Sequence, residues 1–519
     1  MVVELADRRT GDWTVVTDGD LGAAEQRVWD AALTGEFVDL RGGDPERDDL
    51  AGGAGWGPER TVRAEVVVSA LLRSGSSGGP AGALHLAGAR VTGRLDLGGA
   101  TVERELRLED CWFDEQVVLR SATLRSTGFL GCRIPGLEGR LLKVDGNLRF
   151  DRSVIDGRIT LTRGHITGEL HLNGARLTAT ELLDGVAPDP DRAPSVWAMW
   201  AGGLLLDGGC FASHGFSARG GLRFVGVSFS GGLFMRAARI DNPGGDALTG
   251  DDLSASALVL ADGFRAVGAV RLPGATIRSR LSLDGAVLQG GAVALDGRRM
   301  SCGELQLTFA ATPEGVVDLQ DAQTAVLHDS EHSWPADTRL DGFTYNSLHV
   351  PNSGPDMVAA RLRWLADLPA YSPHPYEQLA SWYRKIGHDD EARRVLLAKQ
   401  RRRRRTLGPY GRLWGRLLDA TVGYGYRPWQ AALWLAALTL LGTWVFHDGR
   451  PHPVQPGQGT PFSPFIYTLD LLIPIGGFGQ RGAWYWTGLH QWFGYGLIAA
   501  GWLLTTTVLA GISRALNRT

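Results

Sequence analysis

From Leu84 onward the chain repeats itself in elevens, and few folds accept such a repeat. The units read Leu84-HLAGARVTGR, Leu95-DLGGATVERE, Leu106-RLEDCWFDEQ and Val117-VLRSATLRST, and the pattern resumes at Leu148, Ile159 and Leu170. Apolar residues hold offsets 0, 2 and 7, a small residue holds offset 5, and Gly often stands at 4 or 9. Two-residue steps are strand periodicity, and the odd step between them turns a corner. Stacked corners give a β-solenoid in which offsets 0, 2, 5 and 7 point inward. A longer register agrees: Phe216, Leu222, Phe224, Leu233 and Ala238 recur 48 residues on as Phe264, Val270, Leu272, Leu281 and Ala286. Each inward Leu or Val contributes about 1.5–3 kcal/mol by burial. No single coil buries its face alone, so the array must fold as a stack.

The cysteines fit this pattern. Cys111 occupies the offset that elsewhere holds Ala89, Ala100, Ala122 and Ala175, an inward slot for a small side chain. Cys111, Cys132, Cys210 and Cys302 are widely spaced without a CxxC pair, which points to packing in a reducing compartment. The insertion Asp184 to Pro194, with its prolines, reads as a loop thrown out from the coil.

Around the solenoid (81–350) the chain divides further. Residues 1–80 form a small α+β cap, with helical spacing from Leu21 to Leu33, a short strand at Phe37 to Arg41, and a helix opened by Pro58-Glu59 and running to about Arg73. The N-terminus has no apolar core of the kind a signal peptide needs. Residues 351–420 turn helical: Ala359 to Leu368, then Tyr376 to Ile386, a Gly387 break, and Asp390 to Lys399. The last two form one helical hairpin of tetratricopeptide type, an adaptor beside the polybasic run Arg401, Arg402, Arg403, Arg404 and Arg405.

Residues 421–519 carry the apolar content. Pro428 to Phe446 and Trp492 to Ile512 hold no charged side chain, and each approaches the ~20 residues a helix needs to cross a hydrocarbon core. Between them a shorter apolar run with Pro464, Asp470 and Pro474 leads into Gly476-Gly477-Phe478-Gly479, and 462–482 reads as a re-entrant loop. Trp429, Trp444, Trp484, Trp486 and Trp492 lie near the span ends, as an interfacial belt would. The arginines before the first span, Arg412 and Arg416 included, and Arg514 and Arg518 after the second place both termini and the solenoid in the cytoplasm, with Arg401–Arg405 on anionic inner-leaflet lipid of the plasma membrane.

Enzyme signatures match by letter only. Gly477-Phe-Gly-Gln-Arg-Gly482 spells GxGxxG, but no Asp or Glu follows Asp470 to hold a ribose. His328-Asp-Ser-Glu-His332 spells HxxEH, but Pro335 stops the helix that motif needs. Gly75-Ser-Ser-Gly-Gly79 spells GxSxG after a helix rather than a strand. Only three lysines occur and none follows Gly, which excludes a P-loop. His85, His165 and His171 fall at outward offsets without ligand spacing. A net charge of −3 argues against a nucleic-acid partner. The sequence offers no catalytic residue, no metal site and no cofactor motif. Asp470 stands apart, because an ionisable group in an apolar intramembrane segment must face water, protein or an ion path, or snorkel to the interface.

The LxLxGAxVxG pattern resembles pentapeptide-repeat and bactofilin-like solenoids. Gly55-Trp-Gly-Pro-Glu-Arg-Thr-Val-Arg-Ala-Glu65, Pro375-Tyr-Glu-Gln-Leu-Ala380, Val395-Leu-Leu-Ala-Lys399 and Tyr467-Thr-Leu-Asp-Leu-Leu-Ile-Pro474 resemble a family of actinobacterial membrane-anchored solenoid proteins known as membrane-associated oxidoreductases. That resemblance implies a redox activity but supplies no catalytic residue. The C-terminal order of helix, re-entrant run, Gly-Phe-Gly and helix resembles the two-helix pore-loop unit of potassium channels, which implies backbone carbonyls that coordinate a dehydrated cation. Gln480 stands where TVGYGD has its aspartate.

The expected fold is therefore mainly β: a right-handed β-solenoid with an α+β cap, a helical hairpin and a two-helix transmembrane module. The expected function is a membrane-anchored interaction or sensory scaffold, with a protein partner on the solenoid and a homo-oligomeric module that conducts ions through Asp470, Gly476, Gly477, Phe478 and Gly479. The alternatives are an oxidoreductase and a passive scaffold.

Overall fold

A computed structural model describes residues 4–6, 13–15, 20–73, 82–179, 196–330, 333–349, 356–406, 408–410, 428–449, 451–455, 461–473 and 477–516, with backbone only for 4–6, 13–15, 356–357, 428–429 and 507–516. The insertion at 184–194, the GxSxG at 75–79, Glu331, His332, Arg412, Arg416, Gly476 and Arg518 lie outside the described residues. The chain forms two compact units, residues 1–354 with 367–369, and residues 355–366 with 370–519.

The first unit is a parallel β-solenoid of about 11 turns. Leu84 pairs with Leu106 and Arg90 with Trp112, each 22 residues on, and Leu148 pairs with Leu170 at the same interval. The eleven-residue unit is thus half a coil. Leu84–Ala87 lies in one sheet and Arg90–Thr92 in the other. The next half-coil returns, with Asp96 bridging to Val118 in the second sheet and Thr101 to Thr123 in the first. The 48-residue register is two stacked coils: Ser217 pairs with Arg239, and Arg239 with Arg265 across a bulge between Asp241 and Asp246.

The inward offsets are as the pattern requires. Leu84, Leu86, Ala89, Val91, Leu95 and Leu97 are each 1 % exposed or less. Offset 4 explains its glycines: Gly88, Asp110, Gly131, Arg152 and Gly174 stack at one corner with φ between +48° and +69°. Glycine holds that left-handed turn freely, whereas a side chain there costs about 1–2 kcal/mol, which the stack on either side must offset.

The N-terminal region joins the sheets. Phe37–Asp39 pairs in parallel with His85–Ala87, and Thr61–Arg63 with Arg90–Thr92. The helix expected from Pro58 therefore starts only at Ala64, because Thr61-Val62-Arg63 is drawn into the second sheet with Val62 fully buried. Helices α1 (Ala23–Thr34) and α2 (Ala64–Leu72) pack beside these strands. Buried Glu25 accepts hydrogen bonds from Gly22 N–H (3.0 Å), Arg63 N–H (3.0 Å) and the Arg63 guanidinium (2.8 Å), fixing the start of α1 to the last strand residue. Arg104, 5 % exposed, donates to the carbonyl of Ala32 in the last turn of α1 and to that of Arg73 just past α2. One guanidinium from the solenoid thus satisfies the carbonyl ends of both helices.

The second unit is helical. Helix α3 (Asp356–Asp367) precedes the hairpin α4 (His374–Lys385) and α5 (Asp389–Thr406), which breaks at Gly387 with φ +82°. Tyr376, Leu379, Ala380 and Tyr383 of α4 are buried, as are Ala392, Val395 and Leu396 of α5, and the Tyr376 hydroxyl donates to Leu365 of α3 at 3.1 Å. Arg401 to Arg405 continue α5 as its final turns.

Beyond them stand α6 (Pro428–His447), the nine-residue α7 (Pro464–Leu472), the single turn α8 (Gln480–Ala483) and α9 (Leu489–Leu516). Among the described residues one helical stretch, Gln430–His447, is long and apolar enough to cross a membrane, and only 22 % of it is buried. The second expected span lies within α9. At about 1.5 Å per residue α7 is roughly 14 Å long, too short to cross a bilayer.

Candidate functional site

The site begins where α7 ends. Pro464 at the first turn sets its start, and Ile473 is already extended (φ −97°, ψ 104°), as the residue before a proline prefers. Gly477 and Phe478 lead to a turn at Gly479 with φ +78°, which enters α8. Gly477, Phe478 and Gly479 are exposed, with Phe478 at 53 %.

Asp470 braces this loop. Its carboxylate is 4 % exposed; one oxygen accepts from the Phe478 backbone N–H at 2.9 Å and the other from the Arg481 N–H at 2.7 Å. Such charge-assisted bonds are about twice as strong as neutral ones, and the Arg481 bond satisfies a donor that the first turn of α8 leaves open. The acid is turned onto its own loop.

Gln480, which stands where the pore-loop pattern has its closing aspartate, is the second brace. It is 4 % exposed, donates Nε2–H to the Pro461 carbonyl at 2.9 Å, and accepts the Ser463 N–H at 3.3 Å. A buried amide here ties the loop exit to the residues just before α7. Its only sequence signal was an uncharged polar residue following Gly-Phe-Gly.

The helices around the loop touch closely. A Cβ on Gly442 of α6 would lie 2.3 Å from Thr468 Cγ2, and one on Gly501 of α9 would lie 2.2 Å from the Leu472 carbonyl oxygen. Glycine at both crossings lets α7 wedge between α6 and α9. Below the loop, Phe446, Tyr467 and Trp486 form an aromatic core with ring centroids 5.1 Å apart for both Phe446–Tyr467 and Phe446–Trp486.

Chemically the arrangement ties an exposed Gly-Phe-Gly segment to the Asp470 carboxylate through backbone N–H groups. It contains no acid–base pair, and among the described residues no three His, Cys, Asp or Glu side chains are grouped to hold a metal ion. The GxGxxG at 477–482 meets a four-residue helix rather than a βα unit. His328 sits in a solenoid strand, 3.0 Å from Glu304. His85, His165 and His171 point outward and pair with Glu109 (3.2 Å), Asp207 (2.9 Å) and Glu169 (2.9 Å). All four cysteines are free and buried, and burial pushes the Cys210 thiol up to about 12 and that of Cys302 to about 11. Thiols held so far from ionisation are packing groups. Arg401, Arg403 and Arg405 are exposed on α5. Comparison with protein-family models, curated proteins and solved structures finds no match to this chain.

Proposed function

We propose that the chain is a membrane-anchored scaffold. In this reading the solenoid presents its polar outer face to a partner, α6 and α9 cross the bilayer with α7 re-entrant between them, and Arg401–Arg405 lie against anionic lipid on the cytoplasmic side. The observation that carries it is the apolar surface of the second unit: Leu440 (71 % exposed) and Trp444 (74 %) on α6, and Trp492 (73 %) and Trp502 (54 %) on α9. Soluble monomers rarely expose large apolar side chains in such density, and a bilayer covers them. Alkaline carbonate washing of membranes from expressing cells tests the reading. The chain is expected in the pellet, and its release into the wash would remove the anchor.

A conducting version is favoured by the loop. Gly477 to Gly479 is held open and exposed by a buried carboxylate, a use for Asp470 that a plain anchor does not require. Conduction would need several copies around an axis. Planar-bilayer recording from reconstituted protein is expected to show cation current, and silence under every alkali cation would leave the scaffold reading without its pore.

A further inference from the structure

Parallel register aligns outward side chains in columns along the solenoid. In one column Arg149, His171, Phe211 and Phe234 follow one another. The last three form a ring ladder, His171–Phe211 at 5.4 Å and 20°, Phe211–Phe234 at 5.1 Å and 11°. Each Phe lies over a glycine: a Cβ on Gly209 would come within 3.0 Å of the Phe211 ring, and one on Gly232 within 3.2 Å of the Phe234 ring. The ladder borders a concave groove of about 400 Å³.

We infer that this groove binds a neutral sugar. Of its charged groups, Arg236 is paired with Asp262 at 2.5 Å, and the Glu169 carboxylate is hydrogen-bonded to the His171 ring at 2.9 Å. An anion therefore meets no unpaired Arg or Lys there, while the Glu169 carboxylate can accept from hydroxyl groups. Phe211 has both faces covered, by His171 and Phe234, so a cation cannot lie over its ring. What the ladder offers is ring edges, whose C–H rim is electropositive and suits hydroxyl and ring oxygens, over an apolar surface that suits sugar C–H groups. The rim supplies both senses of hydrogen bond. Asn173 accepts from Ser213 N–H at 3.1 Å through Oδ1, which leaves its Nδ2 amino group to donate. His214 stands exposed at a left-handed corner with φ +52°, and Glu169 offers carboxylate lone pairs. The groove is open rather than enclosed, and its few convergent polar groups over an apolar floor match a small-ligand site in composition.

Saturation-transfer NMR on the full chain in lipid nanodiscs, free of sugar detergents, tests this with cellobiose, maltose and diacetylchitobiose. Saturable transfer to the C–H protons of at least one disaccharide is expected. Asn173→Asp keeps the acceptor for Ser213 N–H and removes the donor, and should weaken binding about tenfold without moving the melting temperature. Phe211→Leu keeps apolar volume and breaks the ladder, and should weaken it comparably. The inference falls if none of the three sugars binds saturably, if Asn173→Asp folds and binds unchanged, or if benzoate or tetramethylammonium displaces the sugar.

Discussion

The carboxylate of Asp470 and the backbone N–H of Arg481 meet at 2.7 Å, joining the end of α7 to the first turn of α8 across the glycine loop. With its second bond to Phe478, Asp470 closes the loop from both sides. Asp470→Asn leaves one oxygen for two donors and turns an amide toward the other. An orphaned buried donor costs about 1–3 kcal/mol. Hydrogen exchange at Phe478 and Arg481 should quicken by one to two orders of magnitude, and unchanged protection would show that the glycines hold the loop unaided.

The helix crossings make a sharper contrast. Gly501→Ala forces a Cβ against the Leu472 carbonyl, and Gly442→Ala forces one against Thr468, whereas Gly496 faces open space. The first two should each destabilise the second unit by about 1–3 kcal/mol, and Gly496→Ala should be neutral or slightly stabilising. Thermal melts in nanodiscs followed by circular dichroism would order the three variants.

Acid sensitivity should trace to Glu25. Burial alone would raise its carboxyl, yet the Arg63 guanidinium and the N–H groups of Gly22 and Arg63 outweigh it and hold it below the ordinary 4.5. A depressed carboxylate contributes stability above its unfolded value, lost as pH falls through the folded one. Glu25→Gln should therefore lower the urea midpoint at pH 7 and leave a flatter acid limb below about pH 4.5. An equally steep limb would place the effect elsewhere.

Asp318 carries the opposite sign. Its burial, with neighbouring Asp296 adding, raises its carboxyl above the ordinary 3.8. Such a group contributes stability when protonated and loses it as pH rises through the folded value, so at pH 7 the anion is a burden. Asp318→Asn can still accept the Gln320 N–H, which Asp318 takes at 3.1 Å. The variant should have a higher urea midpoint than wild type at pH 7 and match it at pH 3; a lower midpoint at pH 7 would contradict the assignment.

The thiols give a direct count. With Cys111, Cys132 and Cys210 wholly buried and Cys302 at 8 %, native protein at pH 8 should resist Ellman's reagent over minutes and release four equivalents in guanidinium. Cys302 should be the first to react.

Much of the solenoid could be read from the chain because its signal is local. Leu84 and Leu86 alternate with outward neighbours, and Cys111 falls where alanines stand. Pairing is not local. Nothing at Leu84 says that its partner is Leu106 rather than Leu95, so the half-coil nature of the repeat emerges only with the sheets. Thr61–Arg63 is not legible as a strand because Pro58-Glu59 is a sound helix start, overridden by pairing with Arg90–Thr92. Asp470 stood out as a charge among apolar residues, but its partners are backbone groups, which a sequence does not display. Gln480 and the Phe211–Phe234 ladder depend on neighbours brought together by folding.

The bulge between Asp241 and Asp246 has a consequence for how such a chain can change its length. Arg239 and Arg265 are 26 residues apart, yet both ends of the bulge keep phase with the coils on either side: Ser217 pairs with Arg239, and Arg265 with Val287. Added residues are absorbed at one corner, and the next coil is ruled by the one before it rather than by a count from the start. A stack of this kind can gain or lose a few residues in any coil without re-indexing the rest, so variation in length stays where it arises.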